Sequence, residues 1–304
     1  MWFSFLLTIY LIFITIKEDP ISIIDWKESD ASTASKEPKR LCYQSIATAH
    51  NSLWSEYHAY GHLHHRMLRV TAMWLLFITI AALLYYLLPD WPAPHRGEKD
   101  GYGLFWQVAS FSVIMVLTFL VLDALRLCYY WIQKLHTKLD ELSTRDSTAK
   151  YHYSDTEINS TSKLLEEIVI LVAKRTRVID KLIYYPLLTI MLMLFASISY
   201  FDNQDFPRSM GITFAASITL LIFAGFKLRT EADRLKFKVI QCLENLSHEK
   251  GHLVQQQVDK AIQNINTISY GAFQSMQEQP VMRTLLLILA SLGLFAGEYL
   301  KMFG

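Results

Sequence analysis

Histidine stands out when the sequence is searched for chemistry, because four histidines occur within eight residues of the stretch EYHAYGHLHHR. His58, His62 and His65 follow one another at steps of four and three, which places them on one face of a helix. Neutral imidazoles in that arrangement can bind a divalent metal ion. No HExxH pattern accompanies them, and the adjacent Arg66 and Arg69 would repel a cation. The sequence therefore favours a cationic belt at a membrane surface over a metal site, and predicts no cofactor.

Two opposite charges inside an apolar stretch are the second candidate for chemistry. Asp123 and Arg126 stand three residues apart within 104–131, which contains no other charged residue. Charges inside a membrane often mark the path of an ion. These two lie near one end of the stretch and can reach each other across one helical turn. The sequence therefore favours a structural ion pair.

Enzymatic signatures are missing from the chain. No GxSxG, GxxxxGK[ST] or GxGxxG motif occurs, and the apolar stretches lack the Ser/His, paired Asp or His-plus-Glu sets of intramembrane enzymes. The three cysteines are scattered and predict neither a disulfide framework nor a zinc site. The net charge of +1 gives no drive toward nucleic acid. We therefore expect a protein that is not an enzyme.

The elements that carry these residues are long apolar blocks separated by polar ones. Of 304 residues, 52% are hydrophobic and only 19% are charged. Stretches of this length with almost no charge indicate membrane spans, and four are predicted at 70–88, 104–131, 182–200 and 211–226. Two further apolar segments, 2–16 and 284–300, are predicted as an uncleaved anchor and a C-terminal span. The fold class is thus an all-α integral membrane protein with two transmembrane hairpins and long cytoplasmic helices.

Lysine and arginine set the orientation of these spans. The three long polar blocks carry 24 of them, whereas the short connections 90–103 and 201–211 carry three. Positive residues stay on the cytoplasmic side, so the polar blocks are predicted to be cytoplasmic.

Basic residues also collect next to the spans and form a predicted collar of three clusters at one depth. The plain interpretation is contact with anionic lipid headgroups, and the sharper alternative is a soluble acidic or nucleotide ligand bound between the helices. The predicted collar residues are His65, Arg66, Arg69, Lys174, Arg175, Arg177, Lys227 and Arg229.

An apolar stripe follows the fourth span along a predicted helix of about 40 residues, roughly 60 Å long. Steps of four and three are those of a coiled-coil seam, which has to be buried. Segment 157–181 can cover the part near the membrane, and we expect a second copy of the chain or a cytoplasmic partner to cover the rest. The residues predicted to mediate oligomerisation are Leu246, Leu253, Val258, Ala261 and Ile265.

The predicted organisation follows these boundaries. It comprises an N-terminal anchor (1–26), a linker (27–40), a first hairpin (41–142), a linker (143–156), a second hairpin (157–270), and an elbow with the C-terminal membrane segment (271–304).

Two stretches carry a resemblance. Tyr-Tyr-Pro at 184–186 with Phe-Asp-Asn at 201–203, and Gly-Ala-Phe at 271–273 with Gln-Pro at 279–280, resemble a pattern in bacterial multi-pass membrane proteins that have no assigned activity. The stretch 49–66 is loosely similar to two-span membrane effectors of bacterial conflict systems. The resemblance implies a multi-pass protein of a bacterial inner membrane and carries no activity with it. Together with the missing enzymatic motifs, the predicted spans and cytoplasmic helices favour a non-enzymatic membrane subunit or effector. A channel or transport subunit is the alternative, and an intramembrane enzyme ranks third.

Overall fold

The computed structural model describes residues 41–87, 101–148, 155–196, 208–247 and 252–275, with Glu278 and Met282. The predicted anchor and linker at 1–40, most of both outer connections (90–100 and 201–207) and the segment 284–300 lie outside these residues. Within them the chain forms α1 (Leu41–Gly61), α2 (Leu63–Leu87), α3 (Gly101–Thr148), α4 (Asp155–Ala196), α5 (Arg208–Ser247), α6 (His252–Thr267) and a 3-10 turn (Gly271–Phe273). These residues include no strand, and the all-α prediction is confirmed.

Helices α1 and α2 together run antiparallel to α3. Glu56 of α1 forms an ion pair with Lys134, and the ring of Phe77 in α2 lies 6.0 Å from the ring of Phe111. The contacting residue of α3 has a lower number for Phe77 than for Glu56, which shows that the helices are antiparallel. The helical path is interrupted at His62, between the end of α1 and the start of α2.

Helices α3 and α5 lie side by side and run in the same direction. Lys227 places its ammonium group 4.9 Å from the ring centroid of Tyr129, and Lys238 pairs with Asp140. These partners are 98 positions apart, and the contacts at the other end of the helix pair, Met115 with Ser217 and Phe111 with Phe214, join residues 102 and 103 positions apart. Helix α4 runs in the opposite direction and packs against both.

Helix α6 returns along α4 rather than continuing α5. Helix α5 ends at Ser247, α6 begins at His252, and the side-chain amide of Asn264 donates to Glu166 of α4 at 2.9 Å. The single helix of about 60 Å predicted from the apolar stripe is therefore wrong. The chain reverses direction between Ser247 and His252, and the sequence of this interval includes glycine, a residue type that weakens a helix by about 1 kcal/mol relative to alanine.

This turn overturns the predicted oligomerisation seam. Val258 and Ile265 are fully buried and Ala261 is almost so, all within the main core of one protomer. Leu246 packs partly buried against the same core, while the side chain of Leu253 lies outside the described part of the chain. The stripe had to be buried, as expected, but the chain covers it itself by folding back.

Replacement of Val258 by lysine is therefore expected to destabilise the protomer. The change removes an apolar side chain whose burial is worth roughly 1.5 to 3 kcal/mol and puts an ammonium group in its place. Denaturant unfolding in detergent should show the loss, and Gln257→Lys at the exposed neighbouring position should not. A Val258→Lys protein of unchanged stability that no longer self-associates would restore the intersubunit seam.

One stretch among the described residues has the length and hydropathy of a membrane span. It is Phe111–Glu141 of α3, with a mean hydropathy of 2.1 and 61% of its most apolar part buried inside the bundle. The core helix of a soluble bundle has the same properties. It overlaps the second predicted span, and the other three spans stay predictions.

Candidate functional site

A buried carboxylate joins α2 to α3 where the apolar halves of these helices begin. Asp123 is 2% exposed and accepts hydrogen bonds from Arg69 through both oxygens, at 2.7 and 2.9 Å. Arg66 donates to the same carboxylate at 3.2 Å and also to the carbonyl oxygen of Leu120 at 3.3 Å. We call Arg66, Arg69 and Asp123 the junction triad.

The junction triad replaces the pair predicted from sequence. The predicted bond between Asp123 and Arg126 is wrong: the Arg126 side chain is exposed, with its guanidinium 5.5 Å from the ring centroid of Tyr130. The two residues are one turn apart on neighbouring parts of the α3 surface, but Asp123 is buried in the bundle whereas Arg126 is exposed. The side of α3 that carries Asp123 packs against α2, and α2 supplies the two arginines that bond it.

A second arginine predicted to contact lipid is also inside the bundle. Arg175 of α4 is fully buried, and its guanidinium carbon lies 4.9 Å from the ring centroid of Trp54 and 5.5 Å from that of Tyr57. Trp131 of α3 completes the aromatic wall, 5.5 Å from Trp54. A desolvated cation over aromatic faces is stabilised by about 2 kcal/mol. The wall was missed in the sequence, although Trp54 and Tyr57 share a helix face.

The headgroup prediction is therefore wrong for Arg66 and Arg175, since both point into the bundle. The other collar residues differ in their surroundings. Lys174, Arg177, Lys227 and His65 are exposed, whereas Arg229 is half-buried and lies 3.5 Å from Asp233.

The three histidines are not assembled into a metal site. The break at His62 interrupts the helix face that would have aligned them, and His58 packs edge-on against Trp54 at 4.9 Å. Among the residues that the structure describes, no group of three or more His, Cys, Asp or Glu side chains could hold a metal ion.

Burial shifts the titration of two groups in the polar half of the bundle. It lowers the pKa of His50 below 6.5, against the opposing effect of a hydrogen bond with Asn51. It also raises the pKa of Asp180 to about 7. His50 thus contributes stability that is lost as the pH falls from 6.5 to its lowered folded-state pKa, whereas the contribution of Asp180 declines as the pH rises from 3.8 to about 7.

A close backbone contact fixes the chain after α6. Gly271 has φ +64°, and a β-carbon added to it would lie 2.3 Å from the carbonyl oxygen of Ala173 and 2.4 Å from the hydroxyl oxygen of Thr176. The amide of Ala272 donates to that hydroxyl at 2.8 Å. Lys236 of α5 lies 5.2 Å from the ring centroid of Phe273. We call Gly271–Phe273 the elbow, and it is anchored on α4 and α5 together.

Comparison with protein-family models, curated proteins and solved structures gives no match. The resemblance to bacterial multi-pass membrane proteins stays a prediction. The functional argument therefore rests on the geometry of the bundle.

Proposed function

We propose that the protein is a non-enzymatic component of a bacterial inner membrane, embedded by several spans and carrying a cytoplasmic helical bundle. In this proposal α1, α6 and the charged halves of α3, α4 and α5 are cytoplasmic. The protein acts as a membrane subunit or effector, and its cytoplasmic bundle is the part that a protein partner can reach.

The observation that carries the proposal is the division of the long helices into two kinds of surface. No Asp, Glu, Lys or Arg occurs in 70–87, 101–122, 182–196 or 209–226. Large apolar side chains are nevertheless exposed there. They are Leu75, Leu76, Ile78, Ile80 and Leu83 on α2, Leu188 on α4, and Leu220 and Phe223 on α5. Apolar surface on this scale is unfavourable in water and is what a bilayer solvates.

The junction triad supports the role of a subunit or effector. It lies where the charge-free halves of α2 and α3 meet their charged halves, and it bonds the two helices through a buried carboxylate and a buried guanidinium group, those of Asp123 and Arg66. Helices α3, α4 and α5 continue through this level without a break. A partner that displaces the cytoplasmic ends of these helices would therefore also displace the spans.

A channel or transport subunit is the second candidate, favoured by buried hydroxyl groups in the charge-free half. Thr118, Thr189 and Ser217 are almost fully buried on three different helices. The two threonines donate to carbonyl oxygens of their own helices, and Ser217 lies 3.4 Å from the sulfur of Met115. A polar path along them would require the helices to separate.

Reporter fusions test the membrane placement. A reporter active only in the periplasm should be active after Gly97 or Asp205 and silent after Ala149 or Gln255. Activity after Ala149 would contradict the placement of the basic segments. Ion flux through the purified protein in liposomes would instead favour the channel, and protein-free liposomes are its control.

A further inference from the structure

One face of α4 is covered along its cytoplasmic half by the returning chain. Asn264 of α6 bonds Glu166 on this face, and the elbow continues the cover over Ala173 and Thr176. Asn264 contacts Glu166 and Ala272 contacts Thr176, so the residue numbers of the two partners increase together. The chain after α6 therefore runs parallel to α4, toward its charge-free end.

The same face continues beyond the elbow without a cover from the described residues. Steps of three and four residues lead from Ala173 through Arg177 and Asp180 to Tyr184 and Leu188, which keeps them on one side of the helix. Tyr184 is 37% exposed and Leu188 is 46% exposed. A groove filled by α6 at one end thus becomes an uncovered apolar face at the other.

We infer that the apolar segment 284–300 of the same chain packs along this face of α4. The elbow places the chain beside Ala173 and Thr176, where the uncovered face of α4 begins. Ten residues separate Phe273 from Thr284. As a helix the segment would be about 26 Å long, and the face from Asp180 to Ala196 measures about 24 Å. The segment thus has the position, direction and length to fill it.

The composition of the segment fits a close helix contact. Ala290, Gly293 and Gly297 recur at steps of three and four, forming a stripe of small residues. In a membrane, small residues allow helix backbones to approach and gain packing contacts. Such a stripe also drives association of two chains, so the position of the elbow decides in favour of α4. Tyr184 and Leu188 then pack against the glycines.

Photo-crosslinking in native membranes tests the inference. A photoreactive amino acid replaces Leu188 in one protein and Leu220 in another, and crosslinked peptides are identified by mass spectrometry. The two positions have nearly equal exposure, 46% and 47%. Leu220, however, is about 160° around α5 from Lys236, which contacts the elbow. The Leu188 probe should label peptides of 284–300 within the same chain, and the Leu220 probe should not.

A substitution in the segment sharpens the test. Gly293→Leu fills the close contact and should lower the intrachain labelling from position 188 by roughly tenfold, the effect of an overpacked contact. Labelling of lipid alone, equal labelling from both positions, or crosslinks only between two chains would overturn the inference. It rests on the proposed membrane placement, which carbonate extraction of the same membranes measures separately.

Discussion

Asp123→Asn should lower the free energy of unfolding by about 3–5 kcal/mol, the usual loss when one partner of a buried ion pair is removed. The substitution keeps the shape of the side chain and removes the charge that Arg66 and Arg69 share. Arg66 is only 4% exposed in its side chain, so it cannot recover hydration without opening the bundle. Denaturant unfolding in detergent micelles, followed by tryptophan fluorescence, measures the loss.

Arg126→Gln is the matched control, because Arg126 lies on the same helix and was the partner predicted from spacing. Its side chain is exposed against Tyr130, and we expect a loss of under about 1 kcal/mol. A large loss for Arg126→Gln with a small one for Asp123→Asn would reverse the assignment. Replacing Arg66 and Asp123 together by leucine should cost less than the sum of the single changes, because the buried Arg66 charge is removed with its partner and Arg69, with a side chain that is 29% exposed, can be hydrated.

Gly271→Ala should detach the elbow from α4 and destabilise the protein by about 3 kcal/mol. The left-handed backbone costs a residue with a side chain roughly 1–2 kcal/mol, and forcing an extra carbon into a packed site costs about 1–3 kcal/mol. The new carbon would meet the Ala173 carbonyl, which belongs to a helix backbone and cannot rotate away. Limited proteolysis near residue 275 and thermal unfolding report the two effects.

Gly271→Asn separates the two causes, because asparagine tolerates the left-handed region better than alanine. The β-carbon contact remains, so Gly271→Asn should be nearly as destabilising. Ser269→Ala, at an exposed position two residues earlier, should behave like the wild type. Full stability of Gly271→Asn would show that backbone conformation, not the close contact, makes glycine necessary.

The sequence was sufficient to predict features that depend on local pattern. The all-α class follows from long apolar periodic segments, and the burial of Val258 and Ile265 follows from their place in an apolar stripe. What the stripe could not reveal was its partner, since the same spacing serves a second chain and a helix folded back. The reversal of the chain between Ser247 and His252 decides between them, and the lone glycine in that part of the sequence is a weak signal because glycine is tolerated in many helices.

The candidate site was harder to predict because its bonds join distant parts of the chain. Arg66 and Arg69 bond Asp123 across more than 50 residues. Arg126, the partner suggested by proximity in sequence, is exposed, whereas Asp123 is buried. Arg175 was assigned to the surface by its charge and its basic neighbours. Only the tertiary packing shows that Trp54 and Tyr57 replace water around it.

The parallel contact of α3 with α5 has a consequence for the newly made protein. Tyr129 and Lys227 face each other across about 98 residues, so ribosomes adding 5–20 residues per second need roughly 5–20 s to supply the partner. During that interval the side of α3 that receives α5 has no native neighbour. The first hairpin already contains every residue of the junction triad and of the Glu56–Lys134 ion pair. These bonds can close before α5 exists and keep the nascent hairpin assembled while it waits.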